Sequence, residues 1–215
     1  MTIKQPPERV QSELFPDLLP DKAISANGEA RTRYGAVVQE AACAILGLTE
    51  IPNTGTHDCV FDAALKSRNT FIEIKSLRRK NKLPIYDWRR RKDKEAGVPL
   101  LYVIAVHDVK GAATMGGLWN MMADSLDTIL VLPAAEIDRL AEAETLRQIG
   151  SEKTASGERN GYQRAGYREG YRNIPYEKLY KPVIETLQVS YVERWVRGLE
   201  FHTSVYFHRE VVPWL

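Results

Sequence analysis

Between Asp58 and Lys75 the chain carries acids and an amine at a spacing suited to phosphate chemistry: Asp58-Cys59-Val60-Phe61-Asp62, a polar turn, then Phe71-Ile72-Glu73-Ile74-Lys75. Side chains alternate between the faces of a strand, so Glu73 and Lys75 share one face while Ile72 and Ile74 share the other. A hairpin turning through Lys66-Ser67-Arg68-Asn69 brings an acid of the first strand beside Glu73 and Lys75 of the second. Carboxylate oxygens suit a hard cation such as Mg²⁺, and a nearby ammonium orients a water or offsets charge on a phosphate. Metal-assisted phosphodiester hydrolysis needs these groups. An amphipathic surface hairpin with an ordinary Glu/Lys pair shows the same pattern, so the surroundings must decide.

Which elements place these groups? The spacing Tyr34, Val37, Val38, Ala41, Ala42, Ile45 predicts a helix over 30–46, ended by Gly47. Glu40 on that helix reads as a solvated charge ahead of an extra metal-site acid. The hairpin follows, over 58–65 and 70–77. The apolar run at 100–106 predicts a strand buried on both faces, and 128–132 predicts another. Pro133 opens a helix carrying Ile137, Leu140 and Ala141. Strands alternating with helices give an α/β architecture. Residues 111–124 read as a long Gly/Met/Trp loop, and 157–172, with its Gly-Tyr-x-Arg recurrence, as a mobile loop. Ile184, Leu187, Tyr191, Trp195 and Leu199 predict an amphipathic helix ending near Gly198. A last strand follows over 201–207, with His202 and His208 on its outer face. The Pro-rich residues 1–28 form an arm, and 29–215 a single domain.

Composition narrows the class. With 44% hydrophobic residues in 215, the chain fills one core, and its net charge is only +2. The distribution of charge says more. Residues 78–94 hold nine Lys or Arg against two Asp, with Asn81, Tyr86 and Trp88 interleaved, and a helix over 86–96 is expected there. Such a block directly after a candidate phosphate-cutting strand favours contact with a phosphate backbone. Cys43 and Cys59 lack metal-ligand spacing and fit buried positions in a reducing cytoplasm. No run reaches the ~20 apolar residues of a membrane helix, and no apolar segment of signal-peptide type opens the chain. His57 and His107 read as loop exposure and strand capping ahead of substrate contact. Trp119, Met121 and Met122 read as packing.

The order of helix, acid-bearing strand, hairpin, Glu73-Ile74-Lys75-Ser76 and a further core strand resembles the PD-(D/E)xK nuclease superfamily. Gly47-Leu48-Thr49, Pro52, Gly55-Thr56-His57-Asp58, the Gly97-Val98-Pro99 entry to 101–106, and Asn173-Ile174-Pro175 narrow it to type II restriction endonucleases of the PvuII kind. The resemblance implies a restriction-endonuclease-like core, a mixed β-sheet with a catalytic hairpin flanked by helices. It implies that Asp58 and Glu73 bind Mg²⁺ and that Lys75 holds or generates the attacking water. DNA-contacting loops would span 77–94, 111–124 and 151–175. Arg79, Lys80, Asn81, Lys82, Arg89, Arg90, Arg172 and Asn173 would meet the DNA. A homodimer on double-stranded DNA follows, because a two-fold symmetric site calls for two active sites. Simple antiparallel pairing, however, sets Asp62 opposite Glu73, so Asp62 stands as the alternate metal ligand. A structure-selective nuclease (a junction resolvase or repair endonuclease) and an idle DNA-binding protein on the same fold are the competing readings.

Overall fold

The computed structural model describes residues 29–51, 63–65, 70–86, 100–112, 114–147, 170–184, 188–209 and 211. Helix α1 (Glu29–Leu46) buries Val37, Val38, Ala41, Ala42 and Ile45 along one stripe. It stops where expected: Gly47 takes a left-handed φ of 66°, and the Leu48 amide donates back to the Cys43 carbonyl at 2.8 Å.

The chain then builds a seven-stranded mixed sheet from β1 (Thr49–Glu50), β2 (Ala63–Leu65), β3 (Thr70–Arg78), β5 (Leu100–His107), β6 (Thr128–Pro133), β8 (Gln188–Val196) and β9 (Leu199–Phe207). The spatial order is β1-β2-β3-β5-β6-β9-β8. β5 lies parallel to β3 and antiparallel to β6, and β9 runs parallel to β6. All eight residues of β5 are buried, because both faces of the sheet are covered. Leu101, Val103 and Ala105 join Ile72 and Ile74 under α1 and under α2 (Met115–Ser125). Tyr102, Ile104 and Val106 join Leu77 in a second core on the opposite face. There α3 (Ala134–Glu142) contributes Ile137, Leu140 and Ala141, and α4 (Tyr176–Ile184) contributes Leu179. A two-stranded antiparallel ribbon, β4 (Lys82–Tyr86) with β7 (Tyr171–Pro175), lays Leu83, Ile85 and Ile174 on that second core.

An α/β architecture with a mixed sheet flanked by helices is therefore present, and the β2–β3 hairpin brackets 66–69 as the turn signals require. Several local expectations fail. Residues 115–125 are a helix, not a loop. Thr114 caps it by accepting from the Gly117 amide at 3.1 Å, and Leu118, Trp119 and Met122 face the core. Two glycines at its start hid a period that the burial makes plain.

The helix expected from 183 to near Gly198 is instead the end of α4 and, from Gln188, strand β8. Apolar residues there fit a 3.6 period, but Val189, Tyr191, Val192, Trp195 and Val196 are β-branched or aromatic, and Arg197-Gly198 forms a hairpin turn. His208 is buried, its amide donating to the Val131 carbonyl at 2.9 Å, and does not lie on an outer face.

Tyr86 ends strand β4 and does not begin a helix; the rest of 86–96 lies outside the described residues, as do the arm 1–28 and most of the Gly/Tyr segment. Its end is described: Tyr171 and Arg172 belong to β7. Gly170 packs so closely on Leu146 and the Arg147 carbonyl that a Cβ would overlap them.

Candidate active site

β3 places Glu73 and Lys75 on the face that carries the second core. Flanking Ile72 and Ile74 point the other way, into the core under α1, and this pins the register of the strand. On neighbouring β5, Glu73 stands abreast of Tyr102 and Lys75 abreast of Ile104. Glu73 is 4% exposed. A carboxylate taken out of water at such a place is costly unless its charge is met. The Lys75 ammonium donates to Glu73 Oε1, and its own side chain stays one-third exposed. The pair is thus a buried acid with an amine leading from it to solvent.

The β2–β3 ladder runs Leu65↔Thr70, Ala64↔Phe71, Ala63↔Ile72. The next residues in sequence are Asp62 on one side and Glu73 on the other. Asp58 and Asp62, the two expected partner acids, lie outside the described residues. Among the described residues no group of three His, Cys, Asp or Glu is able to hold a metal ion. Glu73 is of the hard-oxygen type that Mg²⁺ requires, and it supplies one carboxylate. Glu73 alone makes no ligand set, and the sequence looks to Asp58 or Asp62 for the second carboxylate.

No family model, curated protein or solved structure matches this chain. What the site does must be argued from its own groups.

Residues expected to face DNA divide in two. Arg79 does not stand free: its Nε donates to Asp108 at 3.1 Å and its Nη2 to Asp127 at 2.6 Å. Partial burial works against the charge, but the hydrogen bond and charge of Asp127, helped by Asp108, outweigh it and raise the guanidinium's pKa. Arg79 therefore ties the β3–β4 turn to the ends of β5 and β6. Arg172 lies opposite Ile85 in the ribbon, and its Nη1 donates to the Glu144 carbonyl at 2.6 Å, beyond the end of α3. These two arginines hold structure together.

Lys80, Asn81 and Lys82 are exposed. The turn that presents them is closed by the Asn81 amide on the Arg78 carbonyl at 2.9 Å, with Lys80 at a left-handed φ of 65°. Asn173 stands opposite Pro84 on the ribbon. Period-2 alternation puts it on one side with Lys82, Pro84, Tyr86, Tyr171 and Pro175, away from the Leu83/Ile85/Ile174 side that meets the core. Two segments about ninety residues apart in sequence thus share one outward ribbon face. Pro84 is tolerated because β4 has one strand neighbour among the described residues. Arg89 and Arg90 lie outside the described residues, as does His57.

Other groups settle into structural roles. Glu40 is partly exposed and is not an acid of the Glu73 site: it receives Arg197 Nε at 2.6 Å and Nη2 at 3.1 Å, on the side of the sheet away from the Glu73 face. His107 is buried. Its Nδ1 accepts the Val109 amide at 3.2 Å, so Nε2 carries the hydrogen that meets Ser76 Oγ at 2.8 Å. Burial, joined by the charge of Arg78 and opposed by that of Asp108, lowers its pKa and favours the neutral ring.

Sequence reasoning also missed the cluster of Tyr176, Tyr180 and Tyr206, in which the Tyr206 hydrogen bond and burial push Tyr180 up to about 12. Tyr176 and Tyr180 lie one helical turn apart, but Tyr206, twenty-six residues beyond Tyr180, left no local signal. Among the described residues, no helix is long and apolar enough to cross a membrane.

Proposed function

We propose that this chain is a Mg²⁺-dependent, cytoplasmic type II restriction endonuclease of the PD-(D/E)xK kind, cutting double-stranded DNA at a short palindromic site as a homodimer. The observation that carries the reading is the Glu73–Lys75 pair. A carboxylate buried at the sheet and met by a partly exposed lysine on the next same-face position is an expensive way to build a surface hairpin. It is an apt way to fix a metal-binding oxygen and a water-orienting amine to a rigid strand.

Glu73 and Asp58, or Asp62 in its place, would hold the cation, which when bound shields charge on the phosphate and acidifies water. Lys75 orients the attacking water from the solvent side, in line with the scissile bond, and its charge offsets the charge gathering on the phosphate oxygens. Attack on phosphorus leaves a 5′-phosphate and a 3′-hydroxyl. Phosphate-backbone contact falls to the basic stretch after β3, including Arg89 and Arg90. Lys80, Asn81, Lys82 and Asn173 are the donors available for base edges. The major groove admits a two-stranded ribbon, lysine suits guanine, and asparagine suits adenine, each good bidentate pair being worth about 1–3 kcal/mol of discrimination.

The test compares Glu73→Ala, Asp58→Asn and Asp62→Asn for binding and for cutting. Glu73→Ala retains DNA affinity and loses cleavage. Only one of the two asparagine variants loses turnover if a single aspartate holds the cation. Cleavage retained in Glu73→Ala removes the site from the mechanism.

A further inference from the structure

The two edges of the sheet are unlike. β1, at one edge, is two residues long, and a short edge strand offers little for another chain to pair with. β8, at the other, matches β9 without a bulge from Gln188↔Phe207 to Val196↔Leu199. No strand among the described residues flanks its outer side. Exposed edges are ordinarily blunted by lysine, proline or a bulge. The stretch Gln188-Val189-Ser190-Tyr191-Val192-Glu193-Arg194-Trp195-Val196 has no lysine, proline or bulge, and its two charges, Glu193 and Arg194, are of opposite sign.

Its exposed side chains are also the wrong kind for a solvent edge. Val189, Tyr191 and Trp195 are 51%, 60% and 67% exposed, and alternation sets all three on one face of the strand. Local polar groups on that face already have company. Tyr191 and His202 share a hydrogen bond of 3.0 Å, and Glu200 sits 3.4 Å from His202 Nε2.

We propose that β8 pairs antiparallel with β8 of a second copy of this chain, about a two-fold axis at Val192, joining two seven-stranded sheets into one. The strand's own sequence selects this arrangement. Val192 is the midpoint of Gln188–Val196, so an axis there pairs the whole strand. The rungs are then Val189 with Trp195 of the second copy, Ser190 with Arg194, and Tyr191 with Glu193. No like charges meet, and the most exposed apolar side chains cover one another. An axis at Glu193 sets two carboxylates opposite each other, and one at Arg194 sets two guanidinium groups opposite each other. An axis at Tyr191 shortens the ladder and opposes Glu193 to Val189. The interface is isologous, as a closed pair of identical chains requires. This contact is distinct from the pairing about DNA that the proposed cleavage calls for, because β3 and its copy would stand nine strand spacings of about 4.8 Å apart, and it does not depend on cleavage. A dimer without nuclease activity leaves it standing, and an active monomer overturns it alone.

Sedimentation of the full chain, with three variants, tests the contact. The wild type runs at twice 24.4 kDa. Trp195→Lys, at an exposed site where folding is not at stake, weakens the dimer at least tenfold. Val192→Cys links into a reducible dimer under a mild oxidant, because directly opposed residues of an antiparallel pair have Cα atoms about 4.5–5.5 Å apart, within disulfide reach. The wild type, with Cys43 and Cys59, does not link. A monomer at every concentration overturns the proposal, as does a dimer indifferent to Trp195→Lys. Linking through Glu193→Cys in place of Val192→Cys overturns the register. Slow amide exchange along β8 in a monomer means that another segment covers the strand, and this too contradicts the pairing.

Discussion

Arg197 is the least expected residue in a tight turn, and its replacement separates two opposing effects. The β8–β9 turn is Arg197-Gly198, with φ values of 51° and 74°. A pair of left-handed residues defines a type I′ turn, which favours Gly, Asn or Asp at its first position. An L-residue there costs about 1–2 kcal/mol. Two contacts offset the cost. The guanidinium meets Glu40 through two nitrogens and lies 5.3 Å from the centre of the Trp119 ring. With both ion-pair side chains about one-third exposed, solvent screening limits that pair to about 0.5–1 kcal/mol. The cation–π contact adds about 0.5–1 kcal/mol.

Arg197→Ala keeps the strained backbone and loses both contacts, a loss of about 1–2 kcal/mol, or roughly 2–8 °C in melting temperature for a chain of this size. Arg197→Gly loses the same contacts and removes the strain, less about 0.4–1 kcal/mol for the freer unfolded chain. It therefore melts above the alanine variant, by roughly 2 °C. Thermal unfolding followed by circular dichroism reads the difference. An alanine variant as stable as the glycine variant, or more so, refutes the assignment of strain and clamp.

Other consequences follow from the same geometry. His107 binds a proton less readily in the fold than its ordinary 6.5, because burial disfavours the charged ring. The unfolded chain takes up the proton first, so this contribution is complete above about pH 6.5 and is lost as pH falls toward the folded value. Urea midpoints at pH 7.5 and pH 5 should fall further in the wild type than in His107→Gln; equal falls contradict the buried neutral ring. Arg79→Ala breaks the ties to Asp108 and Asp127, whose side chains are more than half exposed. It should lower stability by about 1 kcal/mol while leaving the preferred DNA sequence unchanged, and a relaxed preference in a cleavage-site survey would return Arg79 to the base-reading set.

Much of the frame could be read from the chain. Helix α1 announced itself by its stripe and its glycine, β5 by an unbroken apolar run, and the β2–β3 hairpin by alternation on either side of a polar turn. The failures share a cause: two periods compete in the same residues. Leu118, Trp119 and Met122 were a helix stripe diluted by glycine. Tyr191 and Trp195 fell on a helical spacing, although the residue types were those of a strand.

The site was half legible. Parity alone put Glu73 and Lys75 together, since neighbours two apart on a strand share a face. It gave no notice that Arg79 would be held by Asp127, or that Lys82 and Asn173 would share a ribbon, because those meetings depend on how distant strands are ordered.

The central claim is tested most directly by incubating the purified protein with bacteriophage DNA, with Mg²⁺ and with a chelator, beside Glu73→Gln under the same conditions. The account predicts discrete fragments with 5′-phosphate ends only when Mg²⁺ is present, and none from a Glu73→Gln variant that still binds the DNA. Intact DNA under every divalent cation tried, or fragments made equally well by Glu73→Gln, would contradict it.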